Sequence, residues 1–226
     1  MLNFVGTSLG TLSDSTLRSA QVLCSSDIIL CEDTRSFAPY YASLQVLYML
    51  QPLESQKIMS YHDQNEFEKL PEILKYLDDN KSVSVVSDAG MPIVSDPGSQ
   101  LLQMVVKRGH SYTVIPGPTA LTTAMTHAGI SSNTLFVGFI PKKESQARKM
   151  LSEYVSISIR PLSLVLYESP HRIQATLQLF DELVPDSDVV LCREMTKKFE
   201  EIVRGKPSEL KHNSYKGEIT LVVQLS

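Results

Sequence analysis

The residues best suited to chemistry lie between Ser82 and Gly98, SVSVVSDAGMPIVSDPG. Two near-copies of one phrase, Ser87-Asp88-Ala89-Gly90 and Ser95-Asp96-Pro97-Gly98, follow the alternating run Ser82-Val83-Ser84-Val85-Val86. The run reads as a strand. A surface turn needs one such phrase. Two, with small residues, carboxylates and prolines, suit a backbone that must come close to a ligand. Apolar Leu101, Leu102, Met104, Val105 and Val106 then mark a helix over about 99–108. The loop therefore sits between strand and helix, where open α/β sheets bind ligands.

Other polar groups recur at strand ends. Glu32-Asp33-Thr34-Arg35 supplies two carboxylates and a guanidinium, for acid–base work or simply for a capped turn with an Asp–Arg pair. Tyr61-His62-Asp63-Gln64-Asn65-Glu66 is a dense polar loop at the next edge. Tyr167-Glu168-Ser169-Pro170-His171-Arg172 ends a buried run, and Arg193-Glu194 ends the next before Met195-Thr196-Lys197-Lys198. A polar cleft between two domains accounts for this recurrence better than separate accidents. The turn Gly6-Thr7-Ser8-Leu9-Gly10-Thr11 is neither G-x-G-x-x-G nor followed by a phosphate-type Lys. A tight β-α turn or a loop for a phosphate-free ligand both fit it. G-x-S-x-G, H-E-x-x-H, Cys/His metal spacing and a P-loop are missing, which weakens hydrolase, metalloenzyme and NTPase readings.

The elements that must hold these groups alternate. Leu2–Val5 reads as a strand, and 13–23 as a helix capped by Ser13 or Asp14 with Leu17, Ala20, Val22 and Leu23 on its apolar side. Strands at 27–31 and 57–60 flank a helix over 39–50. An amphipathic helix spans 66–77, apolar at Phe67, Leu70, Ile73, Leu74 and Leu77. A strand at 111–115 closes a parallel sheet covered on both faces. Pro116-Gly117-Pro118 is a rigid turn that a helix cannot cross. Beyond it come a small-residue helix over 119–128, strands at 136–140 and 162–167, helices over 146–155 and 171–183, and strands at 188–192, 200–204 and 218–224. Adjacent late strands without long helices between them predict a mixed sheet. The boundary is expected at about 115–119, giving α/β domains over 1–115 and 116–226.

At 226 residues, with 42% hydrophobic and 20% charged residues, the composition is that of a soluble globular protein. No apolar run approaches the roughly 20 residues that span a bilayer, and the N-terminus lacks the features of a signal peptide. Cys24, Cys31 and Cys192 make neither a disulfide framework nor a zinc motif, so no metal and a reducing, cytoplasmic setting are expected. A net charge of −4 argues against indiscriminate nucleic-acid binding. It leaves room for local basic patches at Lys142, Lys143, Arg148 and Lys149 and at Arg193, Lys197, Lys198 and Arg204, or for these as solvated surface.

GTLSDSTLRSA, EDTR, YHDQNE, SDAGMPIVSDPG, IPGPTA, FVGFIPKK, YESPHRI, REMTKKFEEIVRGK and GEITLVV stand in the order found in the tetrapyrrole methylase superfamily. More narrowly, the chain resembles the bacterial ribosomal RNA small subunit methyltransferase I family over Leu2 to about Val223. That family transfers a methyl group from S-adenosylmethionine to the ribose 2′-hydroxyl of a cytidine in small-subunit ribosomal RNA. The resemblance implies two α/β domains with the cofactor in the cleft between them, and a homodimer acting on the RNA or on the assembled small subunit. It assigns the cofactor to Ser8, Leu9 and Gly10; Asp88, Ala89, Gly90, Met91, Pro92, Ile93 and Ser95; Pro118, Thr119 and Ala120; and Tyr167, Gly217 and Glu218. An in-line attack by a weakly acidic hydroxyl would draw on Asp33, Glu168 or Glu194 as base and Arg35, Arg172, Arg193 or Lys197 as stabilisers. His62, Asn65, Lys142 and Lys197 are expected on the substrate side. The chain departs from the family's usual T-P-I-G-N at 7–11 and reads SDAGMP, with Met91 in place of Thr. Many members add a helical C-terminal extension, whereas this sequence stops at Ser226; if the extension helps to hold RNA, affinity is expected to be lower. Methylation of a tetrapyrrole or other small molecule, and non-catalytic RNA binding or ribosome assembly, are the alternatives.

Overall fold

The computed structural model describes residues 1–130, 133–157 and 161–225. They form two compact units, Met1–Thr119 and Ala120–Ser226. In the first, β1 (Leu2–Val5), β2 (Ile28–Cys31), β3 (Lys57–Ser60), β4 (Val83–Val85) and β5 (Tyr112–Ile115) make one parallel sheet in the order β3-β2-β4-β1-β5. Alternate side chains of the central strands enter opposite cores. Val5, Ile29 and Cys31 pack with α1 (Leu17–Cys24) and α2 (Thr34–Tyr48). Phe4, Ile28 and Leu30 pack with α3 (Glu66–Asp78) and α4 (Ser99–Lys107). Both faces are thus apolar, which is why these strands read as hydrophobic runs rather than half-polar ones. The chain leaves β1 towards β2 along one face and leaves β4 towards β5 along the other. The loops after β1 and β4 therefore part at the carboxyl end of neighbouring strands, the switch point of a doubly wound sheet.

The second unit holds β6 (Asn133–Phe139), β7 (Leu162–Glu168), β8 (Asp188–Arg193), β9 (Glu201–Gly205) and β10 (Ile219–Leu225) in the order β6-β7-β10-β8-β9. Only β6 and β7 are parallel; the other pairs are antiparallel, giving the mixed sheet. α6 (Glu144–Val155), α7 (Ile173–Leu183) and the short α8 (Pro207–Leu210) cover Leu164, Leu166, Leu191 and Leu221 on one face. α5 (Ala120–Ala128) covers Val165, Val190 and Val222 on the other.

Several boundaries depart from expectation. α1 begins at Leu17 because the Thr16 hydroxyl accepts the Ser19 N–H at 2.9 Å; Leu12–Asp14 is a separate 3-10 turn. The later start turns Leu17 outward, leaving it 49% exposed. α2 begins five residues before Pro39, because the Asp33 carboxylate caps it by accepting the Arg35 N–H at 2.8 Å. Phe67 lies on the solvent side of α3 rather than the apolar one. β6 starts at Asn133, and α8 is an unanticipated turn in which Glu209 accepts the Lys206 N–H. The three cysteines are free and buried. No helix among the described residues is long and apolar enough to cross a membrane.

Candidate active site

Three loops of the first unit converge at the carboxyl end of its sheet. The Thr7 N–H donates to the Gly90 carbonyl at 2.8 Å, and the Thr7 hydroxyl reaches the Ser87 and Gly90 carbonyls at 3.3 Å. The backbones of Gly6 and Gly117 touch: a Cβ on Gly6 would stand 2.7 Å from Gly117 N and from Met91 Sδ. Leu9 and Pro118 both abut Gly90. Met91, at the position that departs from the family pattern, accepts the Gly117 N–H on its sulfur at 3.2 Å and so ties the loop after β4 to the turn after β5. Ser8, Leu9, Gly90, Met91, Pro118 and Thr119 are thereby brought to one place. Ile93 (φ 74°) and Ser95 (φ 67°) hold left-handed conformations that non-glycine residues rarely adopt, with Ala89 and Pro92 in the same loop. Gly10 lies exposed on the turn after β1.

This edge is acidic. The Asp88 N–H donates to the Glu32 carboxylate at 3.3 Å, and the Ser36 hydroxyl reaches Asp88 at the same distance, so EDTR braces the SDAG loop. Burial raises Glu32 above the ordinary carboxylate range; the Asp88 amide opposes this, and the Asp88 and Asp63 carboxylates add to it. Burial, followed by the Glu32 carboxylate, lifts Asp96 to about 7. Burial and the charges of Asp88, Asp33 and Glu32 push the Cys31 thiol up to about 12, so it is inert. The His62 ring meets the Asn65 amide at 3.3 Å. Asn65 serves the loop itself: it accepts the His62 N–H at 2.9 Å and donates to Ser60. The buried Glu66 carboxylate joins this loop to SDPG, accepting from Tyr61 at 2.7 Å and from the Gly98 N–H at 3.2 Å.

The catalytic expectations require revision. Asp33 caps α2 and is forked to Arg35 at 2.7–3.2 Å, which with the Arg35 amide holds its carboxyl down at about 2. A group that sheds its proton so readily is a poor base. Arg35 is solvent-facing, with 89% of its side chain exposed. In the second unit the Glu168 side chain is fully buried and committed. It accepts from Arg172 and the Ser169 N–H at 2.6 Å each and from Thr176 at 2.7 Å. Arg172 also donates to the Ile140 carbonyl at 3.1 Å. Glu168 and Arg172 thus form a clamp between the ends of β6, β7 and the start of α7, an arrangement that positions the backbone. Arg193 is pinned to Glu201 at 2.9 Å and to the Lys216 carbonyl at 3.1 Å.

Glu194, Lys197 and Glu218 form a knot. Glu194 accepts the Glu218 N–H at 2.9 Å and the Lys197 ammonium at 3.2 Å, and Lys197 meets Glu218 at 2.9 Å. Burial alone would raise Glu194, but the Glu218 amide and Lys197 outweigh it and hold the carboxyl below its usual range. Burial opposes charge on Lys197, yet Glu218 and Glu194 keep its ammonium above the ordinary value. Gly217 (φ 84°) admits the Glu194 carboxylate against its α-carbon, where a Cβ would stand 2.5 Å away. Tyr167 packs edge-on against Phe136 and Phe139, Ala120 opens α5, and Lys142 is exposed beyond β6. Glu32 and Asp96 escaped the sequence-based choice of catalytic groups, although both sit in motifs already singled out there; their proton affinity is set by burial and by neighbours distant in sequence.

The site can be tested against the expected cofactor. An edge carrying Glu32, Asp63, Asp88 and Asp96 repels phosphate and attracts positive charge, and backbone packs directly on backbone at Gly6 and Gly117. Both suit a sulfonium-bearing nucleoside. Among the described residues no group of three or more His, Cys, Asp or Glu side chains is arranged to hold a metal ion.

Residues 1–211 match the family model for tetrapyrrole (corrin/porphyrin) methylases. The chain is 38% identical over 224 residues to the ribosomal RNA small subunit methyltransferase I of Coprothermobacter proteolyticus, covering 99% of this chain and 97% of that protein. Among solved structures it resembles the methyltransferase CobJ, with a TM-score of 0.74, 17% identity and coverage of 100% and 94%. It also resembles uroporphyrin-III C-methyltransferase from Thermus thermophilus complexed with S-adenosylhomocysteine, with a TM-score of 0.67, 17% identity and coverage of 98% and 96%. The two structural likenesses show the fold, and the sequence matches show the kinship: the chain belongs to the tetrapyrrole methylase family and, within it, to the ribosomal RNA small subunit methyltransferase I group.

Proposed function

We propose that this protein methylates the ribose 2′-hydroxyl of a cytidine in small-subunit ribosomal RNA, as free RNA or within the assembled subunit, using S-adenosylmethionine. The full-length similarity to ribosomal RNA methyltransferases carries the reading, and the acidic edge of the first unit supports it. Ser8, Leu9 and Gly10, residues 88–93 with Ser95, and Pro118 and Thr119 would hold the cofactor in that unit; Ala120, Tyr167, Gly217 and Glu218 are its proposed contacts in the second. When bound, S-adenosylmethionine supplies a methyl group on a sulfonium, a good leaving group, so positioning is the protein's main task.

The chain's own residues divide that task. Thr7 and Met91 fix the loop after β4 against its neighbours. Asp88 offsets positive charge at this edge, and Asp96, its carboxyl lifted to about 7, adds negative charge as pH rises past neutrality. Glu168 and Arg172 hold the end of β7 in place, and the Glu194–Lys197–Glu218 knot does the same for the residues around Gly217. Arg35, solvent-facing at the start of α2, is the proposed contact for RNA phosphate. His62 and Lys142 remain assigned to the substrate side. A homodimer and a cytoplasmic setting complete the proposal.

Calorimetry with S-adenosylmethionine, and mapping of 2′-O-methylation in small-subunit RNA from cells lacking this protein, test it. The expected result is binding in solution and the loss of one methylated cytidine, restored by the gene. An unchanged methylation map would refute the assignment.

A further inference from the structure

The end of β6 carries an aromatic arrangement that core packing alone does not explain. The pairing of β6 with β7 slips between Phe136 and Gly138, so Val137 is an extra residue in the strand, and Gly138 takes φ 68°. In a regular strand, residues three apart face opposite sides of the sheet. The bulge cancels that alternation. Phe136 and Phe139 both reach the Tyr167 ring as a result, with centroids 5.1 and 5.7 Å away and interplanar angles of 67° and 65°. Phe136 packs against the core beneath α5. Phe139 does not: it is 54% exposed while held in orientation by the edge-to-face contact with Tyr167.

Cations lie close to Phe139 along the chain and at its neighbouring carbonyl. The Ile140 carbonyl, the next residue along, accepts from Arg172 at 3.1 Å. Lys142 and Lys143 follow, both exposed. A fixed, open aromatic face with ammonium groups close by in the chain and a guanidinium on the neighbouring carbonyl is what an unpaired nucleobase and its phosphates require: stacking for the base, positive charge for the backbone.

We propose that Phe139 is the stacking surface for an unpaired base of the substrate RNA, oriented by the Val137–Gly138 bulge and by Tyr167, with Lys142 and Lys143 meeting the adjoining phosphates. The proposal rests on the ribosomal RNA reading above and adds to it the place where single-stranded substrate is gripped.

The test uses the full chain and a fluorescein-labelled single-stranded oligoribonucleotide spanning the candidate target region, with anisotropy as the readout. Phe139→Leu keeps apolar bulk and removes the ring; Phe139→Trp restores a ring. The Leu variant is expected to bind RNA roughly tenfold more weakly and the Trp variant to recover binding. S-adenosylmethionine affinity, thermal midpoint and sedimentation should be unchanged in both. Wild-type-like RNA binding by Phe139→Leu overturns the stacking role. A change of oligomeric state in that variant also overturns it, and places Phe139 on a surface between protein chains. If the wild-type protein itself binds neither small-subunit RNA fragments nor assembled small subunits while binding S-adenosylmethionine, the RNA reading falls and this proposal with it.

Discussion

Replacing Asp96 with Asn should change how stability depends on pH. Burial and the nearby Glu32, Asp88 and Asp63 carboxylates move the Asp96 carboxyl from its ordinary 3.8 to about 7 in the folded protein. The folded state therefore keeps a proton that the unfolded chain releases, and stability falls as pH rises from about 4 to 7. Each unit of displacement corresponds to about 1.4 kcal/mol. Between pH 5 and pH 8 roughly two of the three units develop, a ceiling of about 3 kcal/mol; partial solvent access to the side chain reduces the expected loss to about 1–2 kcal/mol. Asp96→Asn, neutral throughout, removes this component. Any constant effect of the amide on packing cancels when one variant is compared with itself across pH. Urea denaturation at several pH values from 5 to 8 should show the wild-type protein losing about 1–2 kcal/mol more than the variant. Parallel curves would refute the argument that this carboxyl is held protonated by its surroundings.

Two further substitutions probe the second unit. Gly217→Ala places a Cβ 2.5 Å from the Glu194 carboxylate at a positive φ and should lower stability by about 1–3 kcal/mol in denaturant titrations; an unchanged midpoint would show that Glu194 does not pack there. Glu168→Gln weakens the clamp on Arg172 and should lower stability by about 2 kcal/mol while leaving S-adenosylmethionine affinity intact. Full stability combined with lost methyl transfer would return Glu168 to the role of a base.

Composition and pattern were enough to determine the architecture. The short strands at Leu2–Val5, Ile28–Cys31 and Val83–Val85, each followed by a helical segment, point to a parallel sheet covered on both faces, with Ile28–Cys31 the clearest continuous apolar run. The late strands without intervening long helices likewise required a mixed sheet. SDAG and SDPG, placed between strand and helix, marked the ligand edge, and the order of the motifs pointed to the family. Helix starts were less legible, since a cap such as Asp33 or Thr16 is a local hydrogen bond that competes with proline and with apolar spacing.

What only the tertiary structure decided is the state of each charged group. Asp33, Glu168 and Glu194 look equally able to act as bases in the sequence, yet one is spent on a helix cap and an exposed arginine, one is buried and bonded to Arg172, Ser169 and Thr176, and one is tied into a knot beneath Gly217. Asp96 looks like a turn residue, yet burial and then the Glu32, Asp88 and Asp63 carboxylates lift its carboxyl to about 7. Proton affinity and availability depend on burial and on neighbours far away in the chain. Residue type and spacing therefore fixed where the chemistry is sited, and packing decided which groups remain free to take part in it.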